Sequence, residues 1–150
     1  MLLLGKISVQ APIQRVWDML LEPTTLQTCL PGIEKIERLD EKRYIIGIMQ
    51  KIGPLPLRFK IKATLTEVQA PYHLEIEGQR EDKGKSNQAV QKVRIDLRET
   101  MSGVIEISYT VEAHLAGMPA ILGDGIIQAK AKKAEAEIAK ALQERLDKRA

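Results

Sequence analysis

Aromatic side chains are scarce in this chain. Trp17, Tyr44, Phe59, Tyr72 and Tyr109 are the only Trp, Tyr or Phe residues in 150. An interior without rings must be built from Leu, Ile, Val and Ala, which gives up the large rigid groups that fill volume most efficiently. That is compatible with a cavity but does not require one. Cysteine is reduced to Cys29, which excludes an intramolecular disulfide and any Cys-based metal site, and suits a reducing cytoplasm. His73 and His114 are the only histidines, and with Cys29 they fit no metal-ligand spacing. No run approaches the ~20 apolar residues that span a bilayer. The opening Met-Leu-Leu-Leu is broken by Gly5 and Lys6 and is too short for a signal segment. The formal charge of +3 is too mild to dictate a partner.

What is present is a change of period along the chain. Residues 2–10 alternate loosely and suit a strand. Ala11-Pro12 ends it, and Val16, Trp17, Leu20 and Leu21 recur at helical spacing over 12–21. Glu22-Pro23 stops that helix. Thr24 or Thr25 is expected to cap a second short one, which ends before Leu30-Pro31-Gly32. From Ile33 the period is two. Strand 33–39 is followed by a turn at Asp40-Glu41-Lys42 and a strand carrying Tyr44, Ile46 and Ile48. Leu57, Phe59, Ile61, Ala63 and Leu65 then face one way, with Arg58, Lys60, Lys62 and Thr64 opposite. After Ala70-Pro71, Tyr72, Leu74 and Ile76 are expected inside, and His73, Glu75 and Glu77 outside in solvent. Val93, Ile95 and Leu97 line the next strand, and Ile105, Ile107, Tyr109 and Val111 the last. Short connections make successive strands antiparallel neighbours.

The segment from Pro119 to Ala150 breaks this rhythm. After Gly125 it contains no Gly or Pro, and Ala, Lys, Glu, Leu and Gln dominate, so one long helix is expected. Its apolar stripe runs through Leu122, Ile126, Ile127, Ala131, Ala134, Ile138, Ala141, Leu142 and Leu146. From Gln128 onward it holds seven Lys/Arg against four acids, an excess that a solvated helix face explains. A long sheet and a long terminal helix can bury their apolar faces only against one another. The fold class is therefore α+β, with the helix lying across the concave face of a curved sheet of about seven strands. Either the alanines bring helix and sheet into close contact, or they leave room for a passenger.

This order of elements resembles the helix-grip fold of the START, Bet v 1 and polyketide-cyclase group. Four local features narrow the resemblance. They are Trp17 after Ala11-Pro12, Thr28-Cys29-Leu30-Pro31-Gly32 before Ile33, Ile52-Gly53-Pro54 before the strand of Phe59, and Ala116-Gly117 through Gly123-Asp124-Gly125 before the last helix. Together they are similar to the carbon monoxide dehydrogenase G-subunit family over nearly the whole chain. The resemblance implies one START/Bet v 1-like domain over residues 1–150. It implies a non-catalytic cytoplasmic accessory protein with no cofactor of its own. Such a protein would bind a small hydrophobic molecule, lipid or quinone-like, and accompany a molybdenum hydroxylase of the carbon monoxide dehydrogenase type. Many family members extend beyond the terminal helix toward the membrane, whereas this sequence stops at Ala150, so membrane contact is expected to be peripheral at most.

The expected cavity lining is Trp17, Phe59, Ile61, Leu74, Ile76, Val93, Ile107, Tyr109, Val111, Ile127, Ala131 and Ala134. Tyr109 is the inward polar group best suited to orient a ligand. No pair of inward carboxylates is evident, so no catalytic or metal-binding residue is assigned. A cyclase or hydrolase on the same fold, and an interaction module with a solid interior, are the competing readings. Gly123-Asp124-Gly125 carries no phosphate-loop pattern and fits a helix start with Asp124 as cap. The basic stripe Arg58-Lys60-Lys62 lacks aromatic platforms, so nucleic acid is not an expected partner. Cys29 reads as a buried structural thiol and His114 as a surface histidine. Gln91 is an inward amide suited to a rim, a bulge or a ligand contact.

Overall fold

The computed structural model describes residues 2–52, 54–81, 90–113 and 124–148. Ten elements follow one another: β1 (Leu2–Gln10), α1 (Ile13–Leu20), α2 (Pro23–Cys29), β2 (Ile33–Arg38), β3 (Arg43–Ile52), β4 (Leu55–Gln69), β5 (His73–Glu81), β6 (Val90–Met101), β7 (Val104–Ala113) and α3 (Asp124–Lys148). The strands form one curled antiparallel sheet in the order β1-β7-β6-β5-β4-β3-β2. The meander from β2 to β7 returns the chain beside β1, which pairs with β7 from Leu2↔Glu112 to Gln10↔Val104. Irregularities at Ile33/Lys35, Leu65/Glu67 and Glu99/Met101 bend the strands, which is how a flat ladder becomes a curved one.

Between β1 and β2 the chain makes two short helices. Pro12 holds an extended backbone ahead of α1, and Val16, Trp17 and Met19 are the buried residues of that helix. Met19 is buried where Leu20 and Leu21 are expected to be; those two are only half-buried. The expected threonine cap on α2 is a correction. Pro23 occupies the first turn behind Glu22, and no side chain caps the helix. Pro lacks one of the N–H groups that a helix start leaves unpaired and holds the backbone in the helical φ, so it opens the helix without a threonine cap. Thr25 instead lies fully buried. Gly32 follows α2 at φ 88°, a left-handed conformation that a side chain would strain, and its carbonyl accepts from Met49 N–H at 2.8 Å.

Tyr72 is a second correction. It sits in the turn between β4 and β5, 60% exposed, and not on the inner face of β5. The turn takes up the residues that would have carried the alternation back to it. The inner face of β5 begins at Leu74.

The packed core runs across the inner face, through Tyr44 of β3, Ala63 and Leu65 of β4 and Leu74 of β5, to the end of the sheet that the helices cover. Ile7 and Val9 of β1, Leu97 of β6, and Ile105 and Ile107 of β7 meet Val16, Trp17 and Met19 of α1, Cys29 of α2, and Leu142 and Leu146 of α3. Each fully buried aliphatic among them contributes about 1.5–3 kcal/mol through removal from water. Polar contacts anchor the second half of α3 to this end. Gln143 accepts from Gln10 N–H at 2.7 Å and donates to Gln10 C=O at 3.0 Å, so it satisfies backbone groups at the edge of the sheet. Arg15 donates to the Leu146 carbonyl, one of the last carbonyls of α3. Arg145 donates to Thr24 Oγ1 at 2.9 Å and approaches Glu22 at 3.5 Å.

Candidate functional site

The other end of the concave face is built from the same alternation but is less covered. Ile76 on β5, Val93 on β6 and Val111 on β7 are direct cross-strand partners and form an aliphatic row. All three are half-buried, as are Phe59 on β4 and Ala131 and Ala134 on α3. Phe59, Val93, Val111, Ala131 and Ala134 stand outside the packed cluster. Ile61, between them on β4, is buried. Leu142 and Leu146 of α3 belong to the packed cluster, whereas Ala131 and Ala134, with much shorter side chains, do not.

The expected lining residues therefore divide. Trp17, Leu74 and Ile107 belong to the packed cluster. Phe59, Ile61, Ile76, Val93, Tyr109, Val111, Ala131 and Ala134 share the more open end. The side chain of Ile127 lies outside the described residues, as does His114.

Tyr109 is the polar centre of the open end. Its ring lies over Gly5, its direct partner on β1. Its hydroxyl donates to Glu135 Oε2 at 2.8 Å. Burial, followed by the bond to the Glu135 carboxylate and that group's charge, pushes the Tyr109 hydroxyl up to about 12. The phenol is therefore neutral across the physiological range and acts as a donor. Beside the pair a cleft of about 250 Å3 opens between β1 and the first half of α3, bordered by Leu3, Tyr109, Ala131, Lys132 and Glu135. Whole small-molecule sites usually span roughly 300–1,000 Å3. This cleft thus has room for one end of a ligand and not for a large one entire.

Sequence reasoning misses Glu135, although its position is readable. It stands four residues after Ala131 and three before Ile138, so it interrupts the apolar stripe of α3 with a carboxylate. Arg80 is a similar case. The inward series Leu74, Ile76, Gly78 continues to Arg80, whose guanidinium lies 5.3 Å from the centre of the Phe59 ring. Gln91 pairs with Gly78 and Ala113 near the start of β6, away from the bulge in that strand. It is half-buried and packs over Gly78, so it occupies the rim. Cys29 is buried, and that burial pushes its thiol up against the smaller opposing effect of Arg145.

On the outer face the expectation of a solvent-exposed His73 is corrected. Its side chain is only 20% exposed and is held between Asp96 and Glu75. The cross-strand register places these acids beside it, which its own strand does not reveal. Among the described residues no helix is long and apolar enough to cross a membrane.

Likeness to known proteins follows the same geometry. A conserved protein from Geobacillus kaustophilus shares the fold at a TM-score of 0.83 and 21% identity, covering 99% of this chain and 96% of its own. A START superfamily protein from Mycobacterium smegmatis aligns at a TM-score of 0.69 and 11% identity, over 99% of both chains. A norcoclaurine synthase from Thalictrum flavum, solved with a transition-state analogue, aligns at 0.64 and 18% identity, over 97% of this chain and 95% of its own. At these identities the likeness establishes the helix-grip architecture. No curated protein matches the sequence significantly. Residues 5–147 match CoxG, the G subunit of carbon monoxide dehydrogenase, and the chain, with its curled seven-stranded sheet and terminal helix, belongs to that family.

Proposed function

We propose that this protein is a non-catalytic accessory protein that receives part of a small hydrophobic molecule at the open end of its concave face. Its family name supports work beside a carbon monoxide dehydrogenase-type molybdenum hydroxylase. The observation that carries the reading is the uneven packing. Aliphatic side chains on one inner surface are buried beneath the helices and along β4, and half-buried at Ile76, Val93 and Val111. Hiding roughly 300 Å2 of ligand surface there would contribute about 7 kcal/mol before entropic costs. The Tyr109 hydroxyl, whose one proton goes to Glu135, would orient a ligand by accepting from a polar head such as a quinol hydroxyl. The lone thiol favours the cytoplasm, with the membrane approached peripherally to collect or deliver the ligand.

Native mass spectrometry of protein purified from cells tests this reading. A lipophilic molecule is expected to co-purify, and added quinone is expected to raise the melting temperature of the wild type but not of Ala134→Phe. Bare mass in several preparations, with no thermal shift from quinones or lipids, would exclude it.

One observation favours a second reading. A phenol bonded to a carboxylate at a cleft, as in Tyr109–Glu135, is a proton-transfer arrangement. The elevation of the Tyr109 hydroxyl to about 12 weakens it as an acid near neutrality. Loss of a turnover in Glu135→Gln with ligand binding intact would establish the enzyme.

A further inference from the structure

The outer face of the sheet, away from the concave site, gathers three potential ligands that linear spacing does not suggest. Glu67 on β4 and Glu75 on β5 are directly opposed in register, and His73 precedes Glu75 by two residues on the same face. His73 Nε2 lies 3.0 Å from Glu75 Oε2 and 3.8 Å from Glu67 Oε2. One donor atom from each of the three lies within 4.8 Å of the others. The far nitrogen of the same ring, Nδ1, is 2.6 Å from Oδ1 of Asp96, the register partner of His73 on β6. Arg94 Nε is 3.5 Å from the remaining Glu75 oxygen.

Two features of this group call for a cation. Like charges placed directly opposite on paired strands are destabilising. The imidazole is also oriented as metal-binding histidines are, with a carboxylate on one nitrogen and the other aimed at the acids. Donors bound at about 2.0–2.2 Å to one centre must lie roughly 3–3.6 Å apart. The 3.0 and 3.8 Å separations need only a small side-chain adjustment. Two paired strands supply all three donors, and rigid elements hold such sets better than loops do. Glu75 also borders an open groove of about 210 Å3.

We propose that Glu67, His73 and Glu75 form a surface site for one divalent transition cation of the zinc class, with Asp96 as the positioning residue behind His73. One imidazole nitrogen with two carboxylate oxygens suits Zn2+ or Mn2+ better than Ca2+ or Mg2+, which favour all-oxygen sets. The exposed side of the site leaves coordination positions for water or for a donor from a partner. A bound ion would join β4 to β5 beside the Leu65/Glu67 bulge.

The test is calorimetric titration of the metal-stripped full chain with Zn2+, paired with nitrogen NMR of the histidine rings. One equivalent is expected to bind, to raise the melting temperature, and to shift Nε2 of His73 while Nδ1 keeps its proton toward Asp96. Glu67→Gln, at an exposed position that should not disturb folding, is expected to weaken binding at least ~10-fold, and Asp96→Asn by roughly 10–100-fold. Glu77→Gln, which faces Lys92 outside the donor set, is expected to bind as the wild type does. No Zn2+ uptake, undiminished uptake in both Glu67→Gln and His73→Gln, or a His73 ring still doubly protonated at saturating Zn2+ would overturn the proposal. In the last case His73 itself is the bridging cation.

Discussion

Tyr109 occupies the space that a side chain on Gly5 would need. A Cβ built at Gly5 would lie 2.1 Å from both Cζ and Oη of the Tyr109 ring, far inside any contact distance. The two residues are direct partners in the β1–β7 pair, so neither strand can yield without losing register. The ring is held flat over the edge strand, and its hydroxyl is thereby carried to Glu135 on α3. Gly5→Ala is expected to destabilise the protein by about 1–3 kcal/mol through overpacking. The cost should largely vanish in the Tyr109→Ala background. Urea denaturation of the four-member cycle measures this, and simple additivity would refute the steric account.

The same tyrosine sets an alkaline limit on stability. Its hydroxyl is raised from an ordinary value of 10 to about 12 in the folded protein. Between those values the unfolded chain has lost a proton that the native chain retains, so stability falls as pH rises. The Tyr109 contribution is complete below about pH 10 and gone above about pH 12. Melting temperatures across pH 8 to 12 should show a decline that is smaller in Tyr109→Phe. Glu135→Gln should lower the Tyr109 midpoint in an ultraviolet tyrosinate titration, because it removes the carboxylate charge.

Truncations on the two ends of the concave face should differ in cost. Leu146 is 1% exposed within the packed cluster, and Leu146→Ala is expected to cost about 2–5 kcal/mol. Val111 is half-buried on the open end, and Val111→Ala should cost about 1 kcal/mol or less. Equal costs would mean that both ends are equally filled.

Cys29 should be inert until the protein opens. It is 6% exposed and its thiol is raised by burial, which keeps it protonated near neutrality. Labelling by a disulfide reagent should therefore track the population of open molecules. Leu146→Ala should accelerate it in proportion to lost stability. Rapid labelling of the wild type at neutral pH would show a reactive thiol.

The strands and α3 are legible in the sequence because alternation and helical spacing are local signals that the breakers Ala70-Pro71 and Met101-Ser102-Gly103 punctuate. Local rules mislead where they compete. Pro23 displaces a threonine cap on α2. The turn around Pro71 claims Tyr72, which simple alternation places inside. The concave surface is identifiable as inward, but inward is not the same as covered. Val93 and Val111 obey the same period as Leu97 and Ile107, yet they are half-buried where those two are buried.

The amino-acid order alone determined the kind and succession of elements and the face each strand turns inward, since these depend on periods of two and 3.6 within a single segment. It also marked the family through short motifs such as Cys29-Leu30-Pro31-Gly32. Tertiary structure decided which residues become neighbours across strands and layers. Gly5 with Tyr109, Tyr109 with Glu135, and Glu67 with His73 and Glu75 are each joined by register, a bulge or the seating of a helix. Those quantities arise from the simultaneous packing of distant segments, and no local pattern encodes them.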